Sequence, residues 1–118
     1  MTRRRDPEDD LPLKPKPFLI LLVLMEEGPL HGYAINKGMG ERSGGIVVMD
    51  PGGLYRLIAR MERDGQLERV AAPAEEADER RQYMQITEWG RRVLAAEARR
   101  ISELAILPSV QSLARSGR

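Results

Sequence analysis

The stretch that decides the fold runs from Asp50 to Gly65 and reads DPGGLYRLIARMERDG. It carries the signals of a helix with both ends encoded. Asp50 can accept a hydrogen bond from a free backbone N–H of the first turn, and Pro51 fits the first helical position, where no N–H is needed. Gly65 supplies the left-handed residue that commonly follows a helix. We therefore predict a helix over Pro51–Asp64.

The two sides of this predicted helix differ in chemistry. At about 100° per residue, one side collects the apolar residues Leu54, Leu57, Ile58 and Met61. The opposite side carries Gly52, Arg56, Ala59, Arg60 and Arg63. Guanidinium groups keep their charge and match phosphate and guanine edges, so this side suits DNA. An arginine row is also typical of an ordinary solvated helix. The elements that flank this helix are needed to distinguish a DNA-binding face from a solvated one.

Composition narrows the class of protein. The chain has 118 residues, a net charge of +1 and no cysteine. This length suits one domain, and the balanced charge means that any nucleic-acid surface must be local. The longest apolar run, Phe18–Met25, is much shorter than the ~20 residues of a membrane span. We expect a cytoplasmic protein with no membrane partner.

The sequence contains no recognisable catalytic constellation. Its serines lie in no nucleophile turn, and it has no phosphate-binding glycine loop. His31 is the only histidine, and without cysteine it cannot anchor a typical transition-metal site. A helix cap or core packing is the predicted role of His31. We expect no enzymatic activity, no cofactor and no metal.

Patterning around the central helix predicts the other elements. Phe18–Met25 fits a central strand by length, but its leucine and methionine content favours a buried first helix. Leu30–Arg42 has helical spacing and predicts a second helix. Ile46–Met49 is short and partly β-branched, which predicts a strand. Leu67–Val70 and Tyr83–Ile86 alternate apolar and polar residues and predict an antiparallel hairpin.

A long final helix is predicted from the cap at Thr87 to about Leu107, before Pro108. Its apolar stripe exceeds what a small core needs, which favours pairing with a second copy around a two-fold axis. The helix could also fold back over its own domain. The predicted dimerisation residues, which are also candidates for an effector site, are Trp89, Leu94, Ala98, Ile101, Leu104 and Ala105.

Three helices followed by a β-hairpin are the order of a winged helix-turn-helix domain. The predicted fold class is therefore α+β, mainly α, with a long C-terminal dimerisation helix. Residues 1–17 are predicted to be a flexible arm, and residues 18–87 the winged helix-turn-helix domain. Residues 88–107 are the predicted dimerisation helix, and residues 108–118 a flexible tail.

Four blocks of sequence, in order, resemble PadR-type transcriptional regulators: Leu30–Ile35, Gly52–Leu57, Met61–Glu68 and Arg81–Gly90. The resemblance implies a homodimer that binds an inverted-repeat DNA operator, represses transcription and in some members responds to a small hydrophobic or aromatic effector. Two features depart from the family pattern. Met84 stands where a second tyrosine is usual in the last wing strand, and residues 75–79 make the wing acidic.

Helix order, charge and the resemblance together give one set of predicted DNA-binding residues. They are Lys37, Arg42, Gly52, Gly53, Tyr55, Arg56, Arg60, Arg63, Arg80, Arg81 and Tyr83. Tyr33 is expected to pack against the protein instead. Two alternatives remain open: a winged-helix module that binds a protein partner after losing DNA binding, and a small-molecule sensor with its site at the dimer seam.

Overall fold

The helices and strands are described here from a computed structural model, which covers residues 5–74 and 81–117. Within these ranges a short 3-10 helix, Pro7–Asp10, precedes five α-helices and three strands. In chain order they are α1 (Pro15–Glu27), β1 (Leu30–His31), α2 (Gly32–Arg42), α3 (Pro51–Arg63), β2 (Leu67–Val70), β3 (Tyr83–Ile86), α4 (Glu88–Ala105) and α5 (Pro108–Ser116).

The hydrophobic core is centred on α1, which is too apolar to expose more than one side. Six of its residues are buried: Pro17, Leu19, Ile20, Leu21, Val23 and Leu24. The inner faces of α2, α3 and the sheet close around them. The expectation of a buried first helix is confirmed, and this core fixes the directions in which the other elements present their outer faces.

The central helix was correctly predicted from its end signals. Asp50 caps α3 by accepting a hydrogen bond from the Gly53 N–H at 2.9 Å. The helix ends at Arg63, and Gly65 follows in the left-handed region with a φ of 79°. The hairpin strands also have the expected bounds, so the α+β, mainly α winged helix-turn-helix fold is confirmed.

The predicted strand at Ile46–Met49 is wrong. The side chain of Asn36 binds both backbone groups of Met49, donating to its oxygen at 2.7 Å and accepting from its nitrogen at 3.0 Å. The Val47 N–H is bound by the Ser43 hydroxyl at 2.9 Å. These side chains take up the groups that a neighbouring strand would need, so the segment joins no sheet.

The third strand lies instead at Leu30–His31, where the second helix was expected to begin. Leu30 pairs with Met84 and His31 with Tyr83 in an antiparallel sheet of order β1–β3–β2. The helix therefore starts two residues later, at Gly32. This pairing ties the start of α2 to the last strand of the wing.

The two segments that were expected to be flexible contain helices in their described parts. Residues 7–10 form a 3-10 helix that packs on α4, and α1 already begins at Pro15. At the other end α4 stops at Ala105, and residues 108–116 form α5, with proline at its first position. Proline ends one helix and starts another because it lacks an N–H but has a helical φ. In the described residues no helix is long and apolar enough to cross a membrane.

Substitution of Gly90 by alanine is expected to destabilise the fold. A Cβ on Gly90, in the first turn of α4, would lie 2.3 Å from the backbone oxygen of Gln66 and 2.8 Å from the side chain of Ile86. Since backbone cannot retract, α4 would have to move, and such overpacking costs about 1–3 kcal/mol. Urea unfolding measures the loss. The control is Gly52→Ala, whose nearest neighbour is the mobile guanidinium of Arg56 at 3.2 Å. Equal stability of the two variants would contradict the close approach of α4.

A second prediction concerns acid stability. The buried carboxylate of Glu97 pairs with Arg100 and accepts the Leu13 N–H at 2.6 Å. The bond to Arg100 holds the pKa of Glu97 below its ordinary 4.5. A lowered folded-state pKa adds stability that is present above the unfolded pKa and is lost as pH falls through the folded one.

Wild-type protein should therefore lose free energy of unfolding as pH falls below 4.5. Glu97→Gln should be less stable at neutral pH but should show a flatter pH dependence in that acid range. Denaturant titrations at a series of pH values test this, with exposed Glu103→Gln on the same helix as the control. Parallel pH curves for wild type and Glu97→Gln would show that this carboxyl contributes no acid sensitivity.

Candidate nucleic-acid interface

Three elements begin on the same side of the molecule: α2, α3 and β3. The pairing of His31 with Tyr83 brings the start of α2 to the wing, and the ring of Tyr55 lies against Gly32. A shallow cleft joins the three, lined by His31, Gly32, Tyr33, Tyr55, Arg81 and Gln82. This side presents two helix N-termini, which carry partial positive charge, together with aromatic and guanidinium groups.

The three arginines of α3 that were predicted to bind DNA lie on its solvent-exposed face. Arg56, Arg60 and Arg63 are exposed, while Leu54, Ile58 and Met61 on the opposite face are buried. Among the described residues, no carboxylate forms an ion pair with these three guanidinium groups. Their charge is therefore available to a ligand.

The two glycines at the start of α3 accommodate its cap. A Cβ on Gly53 would lie 2.9 Å from Oδ1 of Asp50, and the Gly53 N–H donates to the same carboxylate. That hydrogen bond lowers the pKa of Asp50 from its ordinary 3.8, so the cap is an anion at neutral pH. A phosphate approaching this N-terminus would meet N–H groups that Asp50 partly occupies. Approach of Gly52 and Gly53 to DNA remains a prediction.

The tyrosine positions were predicted only in part. Tyr55, which flanks the apolar face of α3 and was expected to pack in the core with its hydroxyl directed to a phosphate, is 56% exposed, and its DNA contact remains a prediction. Tyr33 was expected to pack, but it is 76% exposed. The helical period contained the missing signal, because Tyr33 lies two residues before buried Ile35 and so about 200° around α2.

Two cations of α2 have different environments. Lys37 is exposed beside Tyr33 and Val48. Arg42 instead forms ion pairs with Glu26 and Glu27, each at 2.9 Å, and the hydrogen bond to Glu26 raises the pKa of Arg42. Its predicted DNA-binding role is not supported, because α1 supplies the carboxylates that neutralise it. Residues 26 and 27 lie 16 and 15 positions before Arg42 in sequence, beyond any local pattern.

At the base of the wing, the two predicted contacts that lie among the described residues differ in exposure. Arg81 is exposed, with its Nη1 atom 2.8 Å from Nε2 of His31. Tyr83 is buried, with 1% of its surface exposed and its ring edge-on to that of His31 at 5.5 Å. Its side chain has almost no exposed surface, so the structure lends no support to the predicted DNA contact of Tyr83. Arg80 and the acidic stretch at 75–79 lie outside the described residues.

His31 serves as the cap that its sequence position predicted. Its Nδ1 atom accepts the N–H of Ala34 at 3.4 Å, at the start of α2. The described residues contain no group of three histidine or acidic side chains that could hold a metal ion.

A family model decides where the chain belongs. The model described as "Transcriptional regulator PadR-like family" matches residues 20–96, which contain the greater part of α1, the sheet, the arginine-bearing helix and the first half of α4. The chain belongs to the PadR-like family of transcriptional regulators.

Solved structures share the fold of this PadR-like regulator. A PadR-like transcriptional regulator from Bacillus cereus superposes with a TM-score of 0.67 at 21% identity, covering 82% of this chain and 88% of the other. A transcriptional regulator from Clostridium thermocellum gives 0.61 at 24% identity, covering 75% and 84%. These likenesses show a shared winged-helix architecture.

A sequence relative is described as an uncharacterised 37.1 kDa protein in transposon TN4556 of Streptomyces fradiae. It is 34% identical over 87 residues, which are 74% of this chain. The chain spans only 23% of that relative's length, so the similarity concerns one part of a larger protein.

The predicted dimerisation set of this PadR-like chain divides into two groups. Leu94 is buried in the core, and Trp89 is half-buried beneath Arg5, whose guanidinium lies 4.2 Å from its ring centre. The second group, Ala98, Ile101, Leu104 and Ala105, is exposed. Four further exposed apolar residues extend this surface into α5: Ile106, Leu107, Val110 and Leu113.

Proposed function

We propose that this transcriptional regulator acts as a homodimer that binds an inverted-repeat DNA operator and represses transcription. The observation that carries the proposal is the exposed row of Arg56, Arg60 and Arg63 on the outer face of α3. In a winged helix-turn-helix protein this helix enters the major groove, where guanidinium groups bind guanine edges and phosphates.

The surroundings of α3 support the same surface. Lys37 and Arg81 are exposed on the neighbouring elements, and the side chains of Tyr33 and Tyr55 project between them. Phosphate contacts from such flanking groups would set the orientation of the protein, while α3 reads the bases. Because the net charge of the chain is only +1, attraction to DNA would come from this local concentration of cations.

A homodimer follows from the exposed apolar surface of α4 and α5. Ile101, Leu104 and Val110 are between 38% and 47% exposed, although they are large and hydrophobic. Contiguous apolar patches on a soluble protein mark interaction sites, and a second copy of the same helices would bury them around a two-fold axis. Two α3 helices related by that axis would face successive major grooves.

An effector, if this regulator uses one, would be a small hydrophobic or aromatic molecule at the dimer seam. Ala98 and Ile101 would line such a site from each protomer, since small and branched side chains leave space between paired helices. Binding there would change the relative orientation of the two halves and so release the operator.

A second candidate function is suggested by the loop before α3. Ile46 is 85% exposed and Val48 is 58% exposed, so this loop offers two large aliphatic side chains that a partner protein could bury. A module that binds a protein through this loop would need no affinity for DNA. The binding experiment below separates the two functions.

Replacement of Arg56 and Arg60 by alanine is expected to abolish specific DNA binding. The experiment measures fluorescence anisotropy with the upstream DNA of the protein's own gene, or with a site selected from random duplexes, across a range of salt concentrations. Wild-type affinity should fall steeply with salt, because each neutralised phosphate contributes about 0.9 to the slope of log affinity against log salt. The double variant should lose its preference for the specific site, because base contacts of about 1–3 kcal/mol each are lost, and its salt slope should fall by about one unit for each phosphate that the two arginines neutralise.

The matched control is Arg91→Ala/Arg99→Ala, which removes the same charge from the exposed face of α4. It should keep the wild-type salt slope and most of the affinity. If folded wild-type protein binds no duplex better than random DNA, repression by operator binding is excluded and the protein-binding function at Ile46 and Val48 takes its place.

Leu104→Glu is expected to convert the dimer to a monomer. A carboxylate at the centre of the apolar surface would be buried against its symmetry mate without a partner. Light scattering after gel filtration measures the mass, with Ser102→Glu as a control that adds the same charge on the flank of α4. A monomeric wild type, or a dimeric Leu104→Glu variant, would rule out this surface as the interface.

A further inference from the structure

The segment before α1 is bound to the protein through one carboxylate. Oδ2 of Asp10 accepts hydrogen bonds from Nη2 of Arg5 at 3.0 Å, Nε2 of Gln66 at 3.1 Å and Nε1 of Trp89 at 3.2 Å. Gln66 lies in the turn after α3, and Trp89 in the first turn of α4. Asp10 thus connects three parts of the chain that are distant in sequence.

Arg5 adds a direct link to the DNA-reading helix. Its guanidinium donates to the backbone oxygen of Asp64 at 2.8 Å and lies over the ring of Trp89 at 4.2 Å. Asp64 is the C-cap of α3, where the helix has unpaired carbonyls and partial negative charge. Arg5 therefore stabilises the end of α3 while it stacks on the start of α4.

The same segment contacts α4 again, about two turns further along. The Leu13 N–H donates to the carboxylate of Glu97 at 2.6 Å, and Glu97 is fully buried. Trp89 and Glu97 are eight residues apart, which corresponds to about 12 Å along the helix axis. Residues 5–14, which we name the strap, hold α4 at two separated points.

Attachment at two points along α4 fixes the direction of the helix axis, whereas attachment at one point would allow the helix to rotate about that point. Without the strap, the start of α4 would remain joined to the turn after α3 by the bond from the Thr87 N–H to the Gln66 oxygen at 3.0 Å. That bond lies at one end of α4 and can act as a pivot. The packing of α1 supports one side of α4, and the 3-10 helix of the strap packs on it as well.

We propose that the strap sets the angle between α4 and α3 and thereby the half-site spacing that the dimer accepts, with Asp10 as the positioning residue. The second clause rests on the proposed function, because α4 would carry the dimer interface and α3 would enter the groove. The first clause concerns the single chain and needs no DNA. The two can therefore be tested separately.

The angle is tested first, by the distance between spin labels on α3 and α4. The chain has no cysteine, so Arg63→Cys and Arg99→Cys provide unique attachment points on exposed positions. Labelled chains are diluted with unlabelled chains, so that pulsed electron–electron double resonance measures the distance between the two labels within one protomer. Asp10→Ala should shift or broaden the distance distribution relative to the otherwise unchanged protein.

Glu8→Ala is the matched control, since it removes an exposed carboxylate from the same 3-10 helix. Its distance distribution should coincide with that of the unchanged protein. If the Asp10→Ala distribution also coincides, the strap does not set the angle and the proposal is overturned. Should Asp10→Ala fail to fold, Trp89→Phe removes the indole N–H donor together with the five-membered ring but keeps an aromatic ring for Arg5, and it should give a smaller broadening. No broadening in that variant would overturn the proposal equally.

The spacing is then tested on duplexes in which one to two base pairs are added or removed between half-sites. Each added pair turns one half-site by about 34° relative to the other. Wild type and Glu8→Ala should lose affinity steeply with such changes, by about tenfold per pair or more, since base contacts of about 1–3 kcal/mol are lost. Asp10→Ala should bind a single half-site as well as wild type does but should discriminate spacing less than about threefold.

Asp10→Ala could alter the distance distribution and still discriminate spacing as wild type does. The strap would then set the angle within one protomer only, and the proposal that it sets the half-site spacing would be overturned. Failure of wild type to bind any duplex would overturn the proposed function and with it the spacing clause. The distance measurement would still decide the angle.

Discussion

Burial of one face of α3 is the constraint on which the functional surface depends. Leu54, Ile58 and Met61 have to leave water, and they do so in the core around α1. At 3.6 residues per turn, this fixes the rotation of the helix about its axis and sends Arg56 and Arg63 outward. The orientation of the arginines is thus set by the burial of the apolar residues on the opposite face of α3. The arginines need no contact with the rest of the protein to keep the helix in this orientation.

Whether a surface arginine can attract a phosphate depends on its ion pairs as well as on its place in the sequence. Arg42 has the same side chain as the arginines of α3, yet Glu26 and Glu27 neutralise it. Exposed ion pairs contribute little to stability, but a paired guanidinium has less to offer an incoming phosphate. The same logic applies to Asp50, whose carboxylate serves α3 as a cap and reduces the positive potential at its N-terminus.

The C-terminal helices and the strap have related roles. The inner face of α4 completes the core through Leu94, and the outer face continues into α5 with exposed apolar residues. A regulator that reads two half-sites needs a firm connection between the helix that contacts its partner and the helix that contacts DNA. In the dimer proposed above, Asp10 would provide such a connection, because its carboxylate binds Gln66 after α3 and Trp89 at the start of α4.

Local signals were sufficient for much of this protein. The cap at Asp50, the proline after it and the glycine at position 65 predicted α3, and alternation predicted both hairpin strands, because capping and side-chain periodicity act within a few residues. The resemblance of four sequence blocks indicated the PadR-like family, and the family match over residues 20–96 confirms it. The face of α3 that carries arginine was predictable for the same reason.

The remaining features depended on partners far away in sequence. Ile46–Met49 has the composition of a strand, but Asn36 occupies its backbone groups, while Tyr83 reads as a surface residue until its ring is placed against His31. Trp89 is covered by a segment some eighty positions earlier. The periodic spacing of apolar residues indicates which side chains will be buried, and capping residues indicate where helices begin and end. Which polar group meets which is settled by the tertiary structure alone, since a hydrogen bond or ion pair forms only where folding brings both partners within about 3 Å.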